Sequence, residues 1–159
     1  MTDLPKYARW EHERRFLVDS SRLPVLDPAA GRRIEDLYLD GGRLRLRRVS
    51  GPDGVVCKLC KSYEGEDHLS RPLTNLYLTP EEHLTLASLP GRRIAKVRHR
   101  VEEGAVAYGV DVFEGPLAGL VLAESEAATA EAARLIPTPS WALRDVTAEP
   151  GFRGGALAV

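Results

Sequence analysis

Charge alternates residue by residue along several short segments of this chain. In Trp10–Val18, one set of alternate positions carries Glu11, Glu13 and Arg15; the other carries Trp10, His12, Arg14, Phe16 and Val18. Arg43, Arg45 and Arg47 alternate with Leu44 and Leu46. Lys96, Arg98 and Arg100 alternate with Ala95, Val97, His99 and Val101, and Glu124 and Glu126 flank Ser125 after Ala123. A period of two belongs to extended strands, whose successive side chains point to opposite faces. Each segment therefore reads as a β-strand with one charged face.

The same reading gives eight strands, at Trp10–Val18, Ile34–Asp40, Gly42–Val49, Gly54–Ser62, Pro72–Thr79, Arg92–Glu102, Ala105–Glu114 and Leu120–Glu126. Turn residues separate them, among them Asp40-Gly41-Gly42, Gly51-Pro52-Asp53-Gly54, Glu64-Gly65-Glu66-Asp67 and Glu103-Gly104. Links this short make hairpins, so the sheet is expected to be antiparallel. Thr79-Pro80-Glu81-Glu82 combines a capping threonine, a first-turn proline and a capping-box glutamate. It predicts a helix running to about Leu89 and stopped by Pro90-Gly91. A second, alanine-rich helix is expected over Thr129–Leu135. Residues 20–30 are proline-rich and give no clear element. Eight strands with helices outside fit a mainly β, closed antiparallel barrel, which leaves no sheet edge exposed. One domain is expected over residues 1–159.

Composition excludes some functions. The net charge is -1, whereas a general nucleic-acid binder carries a large positive excess. No apolar run approaches the ~20 residues that a membrane helix needs, and no signal peptide is expected, since Met1 to Arg9 is polar. Cys57 and Cys60 form a C-x-x-C, but three residues apart on a strand puts the thiols on opposite faces. There is no second pair, so they read as small strand residues of a cytoplasmic protein.

Two arrangements of the charged faces remain. Charges outside and apolar residues inside is the commonest antiparallel design. The inverse lines the bore with charge, and because an unpaired buried charge costs several kcal/mol, it calls for a compensating ligand.

Motifs separate the two. Glu11-His12-Glu13-Arg14-Arg15 and the apolar run after it resemble the Glu-x-Glu-x-Lys signature that opens the CYTH superfamily, the triphosphate tunnel metalloenzymes. Leu44-Arg45-Leu46-Arg47, Lys61-Ser62, Lys96-Val97-Arg98, Val110-Asp111-Val112-Phe113 and Glu124-Ser125-Glu126 resemble later family strands, in order. Asp145-Val146-Thr147, Phe152 and Ala156-Leu157-Ala158 resemble its C-terminal stretch. The resemblance spans nearly the whole chain and implies an eight-stranded tunnel with its charges inside.

It also implies a chemistry: hydrolysis of a triphosphate with a divalent metal, Mg²⁺ or Mn²⁺. The phosphate ligands expected are Arg15, Arg45, Arg47, Lys61, Lys96 and Arg98, because guanidinium forks and ammonium point charges match phosphate oxygens. The expected metal ligands are Glu11, Glu13, Glu124 and Glu126, hard oxygen donors. Glu11, Glu13 and Arg15 are the catalytic candidates. Asp111 is expected either to position a basic residue or to serve as ordinary support. Tyr38 can face the tunnel but reads better as a packed strand tyrosine, and His12, His68, His83 and His99 read as exposed or structural. The partner expected is a small triphosphate, with no nucleic acid and no membrane.

Two departures stand out. Arg15 replaces the signature lysine, and the strand Pro72–Thr79 carries no acid where many relatives have a Glu-x-Glu pair. Adenylate cyclase chemistry and non-catalytic polyphosphate binding are the alternatives.

Overall fold

The computed structural model describes residues 3–159; residues 1 and 2 of the expected 1–159 domain lie outside the described residues. The strands are β1 (Arg9–Val18), β2 (Arg32–Leu39), β3 (Leu44–Gly51), β4 (Gly54–Ser62), β5 (Ser70–Leu78), β6 (Gly91–Glu103), β7 (Val106–Phe113), β8 (Val121–Ala127) and β9 (Ala142–Asp145). The first eight form a closed antiparallel barrel in the order β1-β5-β4-β3-β2-β6-β7-β8, with β8 and β5 both pairing β1. Neighbouring strands of the barrel are consecutive hairpin pairs except at the β1–β5, β2–β6 and β8–β1 seams. Following the register around the barrel returns to β1 well displaced along the strand. Strands so staggered tilt steeply and enclose a wide bore.

β9 was not expected. It lies outside the barrel, pairing with the end of β1 from Phe16 to Val18, and its four residues are too few to display a periodicity. Three short helices complete the chain: α1 (Pro80–Leu86), α2 (Ala130–Arg134) and α3 (Gly154–Leu157). The expected capping box of α1 is formed. The Glu82 amide donates to Thr79 Oγ1 at 3.2 Å, and the Thr79 amide donates to Glu82 Oε1 at 2.8 Å. Residues 20–30 hold two single 3₁₀ turns, capped by Asp19 and Asp27. No helix among the described residues is long and apolar enough to cross a membrane.

The packed apolar core lies largely outside the barrel. Phe16, Val101, Tyr108, Val110, Val121 and Ala123 point outward and are buried under Ala133, Ile136 and Trp141. Tyr108 meets Phe16 and Trp141 edge-on, with ring centroids 6.0 and 5.3 Å away, and its hydroxyl donates to the Pro137 carbonyl at 2.6 Å. Burying side chains of this size stabilises by about 1.5–3 kcal/mol each.

A second cluster fills one end of the bore. Ile94, Phe113 and Leu122 face inward there and pack on Val146, Ala158, Phe152 and Leu157. The C-terminal stretch is tied to the barrel by paired backbone bonds between Arg93 and Val159 at 2.7 and 3.0 Å. It approaches so closely that a Cβ at Gly154 would lie 2.0 Å from Tyr38 Oη.

Candidate active site

Register decides which charges share the interior. Directly opposed residues in an antiparallel pair point the same way. Glu13 opposes Glu126, and Arg15 opposes Glu124. Asp36 opposes Arg47, Arg47 opposes Lys58, and Arg98 opposes Asp111. These positions line, or lie just beneath, one cavity of about 790 Å³. Its wall is polarised. β1 and β8 contribute Glu11, Glu13, Glu124 and Glu126; β3, β4 and β6 contribute Arg45, Arg47, Lys58, Lys96 and Arg98.

Much of this charge is paired. Arg47 donates two parallel hydrogen bonds of 2.7 Å to the buried Asp36. Asp111, 1% exposed, accepts Lys96 Nζ at 2.6 Å and Arg98 Nε and Nη2 at 2.6 and 2.7 Å. Arg98 also donates to Glu124 at 2.9 Å. Arg15 bridges Glu124 and Glu13 at 2.9 Å each. Forked charge-assisted bonds of this kind are the strong ones.

Some charge is left over. Arg45 Nε is buried with no hydrogen-bond partner among the described residues. The Lys58 ammonium is pushed down by burial and by Arg47 and Arg45 beside it. On the other wall, oxygens of Glu11, Glu13 and Glu126 lie within 4.8 Å of one another. Burial and then the Glu124 and Glu11 carboxylates push Glu13 up to about 8, despite the nearby Arg15 guanidinium. Three gathered carboxylates are a donor set of the hard oxygen type that suits Mg²⁺ or Mn²⁺, and their mutual repulsion is what such an ion relieves.

The structure brings Glu11, Glu13, Arg15, Arg45, Arg47, Lys96, Arg98, Glu124 and Glu126 to this cavity, with Asp111 beneath it. It does not bring Lys61. That residue opposes Leu44 and Thr74 on the outer face, its ammonium 5.8 Å from the Tyr63 ring centroid. The inward lysine of β4 is Lys58, three residues earlier and therefore on the other face. Glu124 is not in that three-carboxylate group; it is held between Arg15 and Arg98, sharing Arg15 with Glu13. Burial alone would raise its pKa, but those arginines hold it well below the usual carboxylate range.

Tyr38 was read as a packed strand residue, yet it lines the cavity, because it follows Ile34 and Asp36 on the inward face of β2. Asp36 and Arg71 were missed. Asp36 was legible as the middle of that alternation, opposite the arginines of β3. Cys60 lines the cavity, and Cys57, three residues before it, lies on the outer face. Of the histidines, His68 borders the cavity, while His12 bonds Ser70 Oγ at 2.6 Å.

Two predictions arise here. Lys58→Ala is expected to weaken triphosphate binding roughly tenfold, the loss of one charge-assisted contact. Lys61→Ala is expected to leave it unchanged. Calorimetry on both variants checks this, and a reversed order would place β4 in the wrong register.

The second concerns pH and stability. Burial opposes ionisation of Asp36, but the Arg47 fork holds it below its ordinary value; Glu124 is held low too. The unfolded chain therefore binds more protons at these two sites in acid, so their stabilisation is present above about pH 4 and lost as pH falls through the lowered values. Glu13 acts oppositely. Its native pKa is raised, so it costs stability as pH rises from about 4.5 towards 8. Melting temperature in EDTA is expected to decline between pH 5 and 8 in wild type, and less steeply in Glu13→Gln. Equal slopes would contradict a buried, crowded Glu13.

No protein-family model matches the sequence, and no curated protein does. Solved structures do match. The inorganic triphosphatase NE1496 superposes with a TM-score of 0.61 at 24% identity, over 93% of this chain and 93% of that one. The protein bh2851 from Bacillus halodurans gives 0.55 at 15% identity, over 80% and 86%. PH1819 from Pyrococcus horikoshii OT3 gives 0.57 at 14% identity, over 78% and 82%. With its closed eight-stranded barrel and inward charges, the chain shares the fold of these solved structures.

Proposed function

We propose that this protein hydrolyses a triphosphate, inorganic tripolyphosphate foremost, inside the barrel with Mg²⁺ or Mn²⁺. The observation that carries the reading is the polarised bore: uncommitted cationic groups at Arg45 and Lys58 face the gathered carboxylates of Glu11, Glu13 and Glu126 across one cavity. A triphosphate with a divalent ion is complementary to both walls at once. The likeness to the inorganic triphosphatase NE1496 supports it.

In this reading Arg45, Arg47 and Lys58 hold the chain of phosphates, and Lys96, Arg98 and Arg15 face the transferred group. Arg98 is anchored on Asp111 and Glu124, and Arg15 on Glu124 and Glu13, so both guanidiniums are fixed before substrate arrives, which is how preorganised charge lowers a barrier. Glu11, Glu13 and Glu126 would hold the ion, which when bound supplies positive charge against the phosphate oxygens. Water attacks the terminal phosphorus in line, the bridging P–O bond breaks, and diphosphate leaves. A carboxylate of the acidic wall orients the water and accepts its proton. A small triphosphate as partner and a cytoplasmic location belong to the same proposal.

The test is phosphate release from tripolyphosphate, ATP and thiamine triphosphate, each with Mg²⁺, Mn²⁺ or EDTA. Metal-dependent release is expected, fastest with tripolyphosphate. Cyclic AMP from ATP would favour the cyclase reading. Melting-temperature increases without turnover would make the chain a binding module.

A further inference from the structure

Arg71 is the guanidinium that β5 sets against the acidic wall. It opposes Glu11 in register, and its Nε lies 3.7 Å from Glu11 Oε2, beyond hydrogen-bond reach. The pairs made by Arg15, Arg47 and Arg98 are shorter, between 2.6 and 3.1 Å. Nearby is Arg153, whose guanidinium is depressed by burial and by the charges of Arg71 and Arg15. Both arginines line the cavity. Arg71 thus holds one carboxylate loosely and repels a neighbouring cation. Its side chain is 31% exposed, on the cavity wall.

We propose that Arg71 is a counter-cation that changes partners: it balances Glu11 in the metal-free tunnel and turns to the triphosphate, beside Arg153, when a divalent ion takes the carboxylates. The proposal rests on the metal-loaded tunnel reading above. The physical reason is competition. A divalent ion at Glu11, Glu13 and Glu126 would sit close to the guanidinium, and like charges at such range repel. The anion that then offers itself is phosphate, which accepts guanidinium forks. Arg71 therefore weakens metal binding in the absence of substrate and strengthens substrate binding in the presence of metal.

Those two effects have opposite signs, which a purely structural arginine would not produce. In Arg71→Gln, calorimetric titration with Mn²⁺ alone is expected to show roughly tenfold tighter binding, the removal of a nearby like charge. The KM for tripolyphosphate at saturating Mn²⁺ is expected to rise roughly tenfold. Arg71→Lys, which keeps the charge, should stay near wild type for Mn²⁺. Unchanged or weaker Mn²⁺ binding in Arg71→Gln overturns the proposal, as does an unchanged KM. A wild-type protein that binds neither Mn²⁺ nor tripolyphosphate overturns the metal-loaded tunnel itself, and Arg71's role with it. Wild type binding both, with Arg71→Gln indistinguishable, overturns only the role of Arg71.

Discussion

Replacing Glu11 and Glu13 together with glutamine is expected to reduce metal-dependent phosphate release roughly 10³-fold, about 4 kcal/mol of barrier, while the barrel still folds. The two residues supply two of the three carboxylates gathered on the acidic wall. Neutral amides coordinate a hard divalent ion far less strongly than carboxylates do. Folding is spared because this cluster opposes folding when ionised, as the raised Glu13 shows. Glutamine keeps an acceptor oxygen for Arg15 Nη2, which donates to Glu13 at 2.9 Å. Phosphate release with Mg²⁺, set beside a thermal melt, checks both halves. Full activity in the folded double variant would remove Glu11 and Glu13 from metal binding.

The other large effect falls on stability. Asp111→Ala is expected to destabilise the protein by about 3–5 kcal/mol, the usual consequence of leaving buried charge without its partner. Asp111 neutralises both Lys96 and Arg98 from a position 1% exposed. Arg45→Ala makes the contrast. Its Nε has no protein partner among the described residues, so little stability is lost, but triphosphate affinity should fall about 10- to 100-fold. Urea unfolding and calorimetry separate the two. A stable Asp111→Ala variant would mean that Lys96 and Arg98 relax onto Glu124 at little cost.

What could be read from the sequence followed from period two. Alternation placed Arg45 and Arg47, Lys96 and Arg98, and the glutamate pairs on shared faces, and hairpin turns made the sheet antiparallel. Which face was inward came from the ordered motifs. Lys61 was misplaced because the end of β4 carries little alternation of its own; its face is set by pairing with β3, which puts Arg47 against Lys58. For Tyr38 the pattern favoured packing over the bore, because a phenol suits either face of a strand. The floor of the bore was beyond reach as well, since Val146 and Phe152 are apolar residues outside any strand pattern and only closure of the barrel shows what they cap. Arg71 begins a strand notable for its lack of acids, and nothing local says that it faces Glu11.

The apolar packing outside the barrel has an evolutionary consequence. Phe16, Val110 and Ala123 hold the chain together from the outer face, and their immediate neighbours in sequence, Arg15, Asp111 and Glu124, meet the bore or its lining. Selection for folding and selection for ligand thus act on alternate residues of the same strands. Apart from anchors such as Asp111, inward residues can drift, exchanging lysine for arginine or acid for amide, without unpicking the outer core. A lineage built this way can try new phosphate chemistries while its scaffold stays put.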